Sequence, residues 1–265
     1  MSVLHTIYFS AKGTTKTCAA YIGQHLGLET RTYDWLRCPC IDTLEISGKD
    51  VLLLAMPVYG GYIPHICTEM MGYLRGEQTP AILAAVYGNR HYDNALLQMK
   101  DILSRQGFVV IAAGAFLAQH SIFPSVAAQR PDEKDRAVMA EFAATCKDLL
   151  AGRDEEGWDE ITLPGTAGYD ASSFRGVPFR PGGDRTCISC GACAAICPCH
   201  AIDPANPRET DQNLCMSCGA CIAACPAGAR NYHGAAYKAA GLVFSQKCAA
   251  YRTPELFYAG KKEEK

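Results

Sequence analysis

The chain has 265 residues, a formal net charge of −2 and fifteen cysteines. Near-neutral charge gives no electrostatic pull toward nucleic acid or an anionic membrane surface. No apolar run approaches the ~18 residues needed to cross a bilayer, and the N-terminal MSVLHTIYFSAKG lacks a leader signature. So many cysteines without an export signal argue for metal ligation in a reducing cytoplasm, and against a disulfide scaffold.

Residues 1–150 read as strands alternating with helices. Val3–Phe9 is a short apolar strand, and the small-residue loop Ser10–Thr15 leads into a helix ending near His25. Val51–Met56 (VLLLAM), Ala81–Tyr87 (AILAAVY) and Phe108–Phe116 (FVVIAAGAF) are continuous apolar runs. Such runs mark strands buried on both faces of a parallel sheet. Helical patterns fall near Ile66–Arg75 and Asp93–Gln106, and a third spans Pro131–Leu150, started by Pro131, Asp132 and Glu133. The alternation predicts a doubly wound α/β domain over 1–152.

Glycine and proline then punctuate a linker, 153–184, with one short strand expected at Glu160–Leu163. Residues 185–228 contain two copies of one pattern, 28 residues apart. The first is Cys187-x2-Cys190-x2-Cys193-x3-Cys197-Pro198; the second is Cys215-x2-Cys218-x2-Cys221-x3-Cys225-Pro226. The tail, 229–265, is expected to form a docked helix around Ala235–Tyr251, because Tyr232, Phe244, Tyr251, Phe257 and Tyr258 offer apolar surface.

The duplicated cysteine string is the most specific motif in the chain. Zinc also uses CxxC pairs but closes its site with four ligands; eight cysteines in two identical runs suit two 4Fe–4S clusters. Gly191 and Gly219 stand where the backbone must turn tightly. Cys199 lies off the pattern and reads as a free buried thiol.

This segment resembles the two-cluster bacterial ferredoxins, an α+β domain. The resemblance implies that the fourth cysteine of each run serves the other cluster. Cys187, Cys190, Cys193 and Cys225 would then hold one cluster. Cys215, Cys218, Cys221 and Cys197 would hold the other.

Three N-terminal loops follow predicted strands at the sheet edge where α/β folds bind ligands. The first, Ser10-Ala11-Lys12-Gly13-Thr14-Thr15, offers hydroxyls, amides and a helix N-terminus to a phosphate. It is neither a Walker A loop nor GxGxxG. The second runs Met56-Pro57-Val58-Tyr59-Gly60-Gly61-Tyr62-Ile63-Pro64. The third runs Tyr87-Gly88-Asn89-Arg90-His91-Tyr92-Asp93-Asn94. Glycines beside aromatics suit a flat ring lying against exposed backbone.

Residues 1–150 resemble the flavodoxins, which implies FMN. Its phosphate would lie on Ser10, Lys12, Gly13, Thr14 and Thr15. Its ring would lie between Pro57, Val58, Tyr59, Gly60 and Gly61 on one side and Tyr87, Gly88, Asn89, Tyr92 and Asp93 on the other. Lys12 stands where flavodoxin loops commonly carry threonine, so its ammonium is expected to neutralise phosphate charge. The domain order resembles a family of fused flavodoxin–ferredoxin proteins of anaerobes. GNRHYDNAL at 88–96, Gln119-His120-Ser121 and Arg130-Pro131-Asp132-Glu133-Lys134-Asp135 also look characteristic of it.

Clusters pass single electrons and FMN accepts one or two. The combination predicts an electron-transfer flavo-iron–sulfur protein exchanging electrons with redox partners, such as a ferredoxin or a larger oxidoreductase. The alternative is an FMN-dependent reductase of a small acceptor (a quinone, a nitro compound or an enone), with His120, Tyr62 and Arg90 as the candidate catalytic residues. A third reading is a redox-sensing or assembly partner without flavin.

Overall fold

The computed structural model describes residues 2–152, 158–170 and 177–260. A parallel sheet is built from β1 (Val3–Tyr8), β2 (Glu29–Asp34), β4 (Val51–Pro57), β6 (Thr79–Tyr87) and β7 (Phe108–Leu117). Two short strands, β3 (Leu44–Ile46) and β5 (Leu74–Gly76), pair with each other outside it. Taken in chain order, the five parallel strands stand 2-1-3-4-5 across the sheet. That is the flavodoxin-like order of a doubly wound fold.

The apolar runs explain why these strands sit at the centre. In β4, Leu52, Leu54 and Met56 enter one core while Val51, Leu53 and Ala55 enter the other. Alternation sends successive side chains to opposite faces, so a strand covered twice must be apolar throughout. Helices α1 (Thr14–Leu26) and α4 (Glu133–Ala151) cover one face, using Ile22, Leu26, Met139 and Phe142. Helices α2 (His65–Met71) and α3 (Ala95–Arg105) cover the other, using Met71, Leu96, Met99 and Leu103. Fully burying each such side chain stabilises the fold by roughly 1.5–3 kcal/mol.

Several expectations are corrected. The helix expected to reach Arg75 ends at Met71, and Leu74–Gly76 continues as β5. The long helix starts at Glu133 rather than Pro131; Asp132 is its N-cap, exchanging side-chain and backbone hydrogen bonds with Asp135 in a capping box. Glu160–Leu163 is not a strand: Ile161 and Leu163 are buried, yet the segment pairs with no strand. It is held instead by Lys100 Nζ, which bonds the Ile161 carbonyl at 2.8 Å.

The second half adds β8 (Gly182–Gly183), α5 (Ala192–Ala195), α6 (Ala220–Ala223), β9 (Arg230–Asn231), α7 (Ala235–Lys247) and β10 (Glu255–Tyr258). Helix α7 stops four residues before Tyr251, and β10 then pairs antiparallel with β7 as the sixth strand of the sheet. The tail is thus part of the first half's core, with Phe257 buried in it. Phe123 stacks on Tyr237 at 5.4 Å, and Phe244 meets His120 edge-on at 4.8 Å. The Asn89 amide donates to the carbonyls of Cys248 and Ala250, and Tyr92 Oη to Glu255 at 2.7 Å. Arg130, paired with fully buried Asp135, also donates to the Arg252 carbonyl and lies 4.2 Å from the Tyr251 ring centre. These contacts account for the Arg130–Asp135 motif as an anchor for the tail.

No helix among the described residues is long and apolar enough to cross a membrane.

Candidate functional site

Four loops leave the carboxyl ends of β1, β4, β6 and β7 and enclose one cavity. Its walls include Lys12, Thr14, Thr15, Pro57, Val58, Tyr59, Gly60, Tyr87 and Gly88, all expected from the sequence. Arg90, His91, Gln119, His120 and Ser121 complete the polar wall.

The end of the cavity expected to take a phosphate is built from backbone. Gly13 caps α1 at φ 89°, a left-handed conformation that glycine adopts freely. No side chain caps that terminus, apart from Ser10 Oγ accepting the Lys16 amide at 3.1 Å. The first-turn amides of Thr14 and Thr15 have no partner within the helix, and both residues line the cavity. Orphan amides at a helix N-terminus fit a phosphate. Lys12 is less free than expected: its ammonium donates to the Ser121 carbonyl at 3.2 Å, and burial pushes its pKa down.

The end expected to take a flat ring is held by a tight turn. Tyr59 and Tyr62 bond each other's backbone across Gly60 and Gly61, whose φ values are 64° and 92°. Positive φ at both central residues is the pattern of a type I′ hairpin turn. The Asn94 amide then bonds the Gly61 carbonyl at 2.9 Å, locking the second loop to the third.

Not every sequence candidate reaches the cavity. Ser10, Gly13, Gly61, Asn89, Tyr92 and Asp93 support the loops without lining it. Tyr92 is buried against Tyr87 and His91 and tied to β10. Tyr62 turns toward Tyr169, with its hydroxyl accepting from Asn94, so the three catalytic candidates are not brought together.

His120 and Arg90 do line the cavity. His120 Nδ1 accepts the amides of Ile122 and Phe123 at 3.1 and 3.0 Å. That leaves the remaining proton on Nε2. Burial first, then Lys12 and Arg90, push its pKa down to about 4. The ring is therefore a neutral donor at pH 7, not an acid. Unfolded, it would charge near pH 6.5. Stability from the neutral ring is present above that pH and is lost as pH falls toward 4. Acidification from pH 7 to 5 is expected to cost the wild type about 2 kcal/mol more than His120→Asn. Thermal melts of both proteins across that range would measure it; parallel slopes would reject this role for the ring.

The cysteine repeat is visible in the backbone. Helices α5 and α6 are equivalent, each capped by a left-handed glycine, Gly191 at φ 75° and Gly219 at φ 79°. Ser189 and Ser217 also take matching positive φ, 54° and 60°. Cys197, Cys215, Cys218 and Cys221 line a second cavity together with Cys199. Amides approach the sulfurs: Ala201 N lies 3.3 Å from Cys197 Sγ, and Ser217 N 3.4 Å from Cys215 Sγ. At Cys225 burial acts upward, but the amides of Arg230, Ala229, Ala227 and Gly228 together hold the thiol below its usual pKa. Thiols lining one cavity beside backbone donors fit a cluster, whose sulfurs accept such bonds. Of the first run, Cys193 is buried and Cys190 exposed. Among the described residues, no three histidine, cysteine or acidic side chains meet around a single metal ion.

Cys218 lines both cavities. Its loop lies on the flavodoxin-like half. Cys218 and Ala220 belong to the core beneath β4 and β6, and Lys12 Cδ lies 3.4 Å from where a Gly219 side chain would begin. Tyr232 Oη ties the loop down through the Ser217 carbonyl at 2.7 Å. Nothing in the residue pattern signals this meeting, because cysteine spacing specifies a ligand loop and not what it docks against.

Fold and cysteine loops define a class: a flavodoxin-like α/β sheet joined to a ferredoxin-type iron–sulfur segment. Residues 186–229 match the family model described as a 4Fe-4S dicluster domain, and a second model of the same description matches 208–253. No curated protein sequence matches the chain. Among solved structures, a flavodoxin from Streptococcus pneumoniae TIGR4 is similar at 13% identity, covering 54% of this chain and 96% of its own, with TM-score 0.39. An NADH:FMN oxidoreductase (EMOB) in its apo form is similar at 15% identity, covering 59% and 94%, with TM-score 0.43. An azoreductase from Bacillus anthracis str. Sterne shows 9% identity, 56% and 99% coverage and TM-score 0.39. The fold assignment rests on strand order, not on these distant likenesses.

Proposed function

We propose that this chain is an electron-transfer flavo-iron–sulfur protein, carrying electrons between two 4Fe–4S clusters and FMN. The observation that carries this reading is Cys218, a candidate cluster ligand that is also a wall of the candidate flavin cavity. Bound FMN would supply the ability to take up one or two electrons. The protein's part is placement. Thr14, Thr15 and the α1 N-terminus would hold the phosphate, while Tyr59 and Gly60 would face the ring from one side and Gly88 from the other. His120 would offer a neutral hydrogen-bond donor beside Lys12 and Arg90. Cys187, Cys190, Cys193 and Cys225 would hold the outer cluster, and Cys215, Cys218, Cys221 and Cys197 the inner one. Exposed Cys190 gives the outer cluster a face toward a redox partner.

The reductase alternative loses part of its support. Tyr62 faces away from the cavity, and His120 is neutral, so the three candidates do not form one acid–base site.

Anaerobic analysis of the purified protein tests the reading. About eight irons and one FMN per chain are expected, with dithionite bleaching both chromophores. Eight irons with no flavin, even after FMN is added, would remove the proposal. Rapid turnover with one class of small acceptor would favour the reductase.

A further inference from the structure

Arg230 is only 1% exposed and lies five residues after Cys225, the last cysteine of the second run. Its guanidinium donates to the Pro207 and Pro181 carbonyls and to Thr210 Oγ1, while Nε has no hydrogen-bond partner. Among the described residues no carboxylate pairs with it; the ion pairs lie elsewhere. A buried cation without an anion is costly. Two neutral carbonyls and a hydroxyl satisfy some of its hydrogens but cannot cancel its charge.

Its surroundings identify the missing anion. Pro181 and Thr210, which it holds, line the cavity of Cys197, Cys215, Cys218 and Cys221. Its positive charge acts on Cys221 and, after that of Arg180, on Cys215. A 4Fe–4S cluster held by four thiolates is net anionic, and gains one further negative charge when it takes an electron.

The internal repeat supplies a comparison. The residue 28 positions before Arg230 is Ile202, which is buried and packs with Cys193 and Cys221. The repeat has therefore placed a cation in one copy and a hydrocarbon at the equivalent position of the other. The two cluster environments cannot be electrostatically equal.

We infer that Arg230 sets the order of the two cluster potentials, by stabilising the reduced state of the inner cluster beside Cys215 and Cys221. Resting on the proposed function, this makes the inner cluster the better electron acceptor. An electron entering at the exposed Cys190 end then runs downhill to the Cys218 end, beside the flavin cavity. The step is a one-electron transfer: the outer cluster is oxidised, the inner one reduced, and no proton or bond is exchanged.

The test is an EPR-monitored redox titration of the intact, iron-loaded protein, comparing wild type, Arg230→Gln and Arg230→Lys. The wild type should show two separated potentials. In Arg230→Gln the higher one should fall by at least a tenfold change in the one-electron equilibrium, 59 mV. The lower one should move much less, and Arg230→Lys should restore most of the difference. Iron loss from Arg230→Gln with full loading and wild-type potentials in Arg230→Lys would also support the role of charge. Unmoved potentials, equal shifts of both, or iron loss from both variants would overturn it. A wild type without about eight irons would instead reject the proposed function.

Discussion

Cys218→Ser is expected to lower iron from about eight to about four per chain, because one cluster loses a ligand and the other keeps its set. The effect should reach further than iron. The Cys218 loop forms one wall of the candidate flavin cavity, with Gly219 against the Lys12 stem. Loss of the inner cluster should therefore slow reduction of the flavin by electrons entering at the outer cluster by orders of magnitude, even with FMN still bound. Iron and sulfide analysis with stopped-flow flavin absorbance would separate the two effects. Cys199 lines the same cavity as Cys218 and could recruit iron in its place, so Cys199→Ser should accompany the first change. Eight irons retained in the double variant would show that the ligand set is wrong.

Gly88→Ala should be the most damaging small change in the candidate flavin cavity. A β-carbon there would lie 2.6 Å from His120 Cδ2 and 2.8 Å from the His120 Cα. The backbone of His120 cannot give way easily, since its amide bonds the Val126 carbonyl and its ring caps the turn at Ile122 and Phe123. Overpacking of this kind costs about 1–3 kcal/mol, and the strain falls where the third and fourth loops meet. FMN affinity should drop at least about tenfold, equivalent to about 1.4 kcal/mol. Fluorescence titration of flavin-free protein would measure it. Wild-type affinity would mean that the ring does not use this part of the cavity.

The central sheet was legible because its strands are buried twice. Val51–Pro57 and Thr79–Tyr87 are apolar at nearly every position, and no solvent-facing side chain breaks the signal. The edge strands were not. Glu29–Asp34 reads ETRTYD, with its first four residues exposed, so its strand character comes from pairing with β1 and not from burial. Glu255–Tyr258 was hidden for a different reason: its partner, β7, lies about 140 residues earlier. Ile161 and Leu163 gave the opposite error, apolar residues that fill a core without joining a ladder. At the sites, the cysteine spacing and the strand-end loops pointed to segments that the structure gathers around two cavities. Tyr92 and Tyr62 misled because an aromatic beside glycine reads the same whether it faces a ligand or a protein core. The loop at 118–121 follows the fourth apolar run, so the strand-end rule that located the other three reaches it as well.

The return of β10 to the sheet changes what a domain border means in this chain. The cysteine segment is not hung on the end of the α/β unit; it is inserted into it, entering after α4 and leaving through α7 toward the sheet edge. Both ends are moored to the same sheet, which limits any arm-like excursion of the clusters. A single cut cannot divide the two halves. Cleavage after the second cysteine run would carry away the sixth strand and uncover the β7 edge from Ala112 to Ala115, the kind of open edge that invites strand pairing between molecules. The cysteine segment and the α/β unit thus share one sheet, and topology keeps their surfaces together.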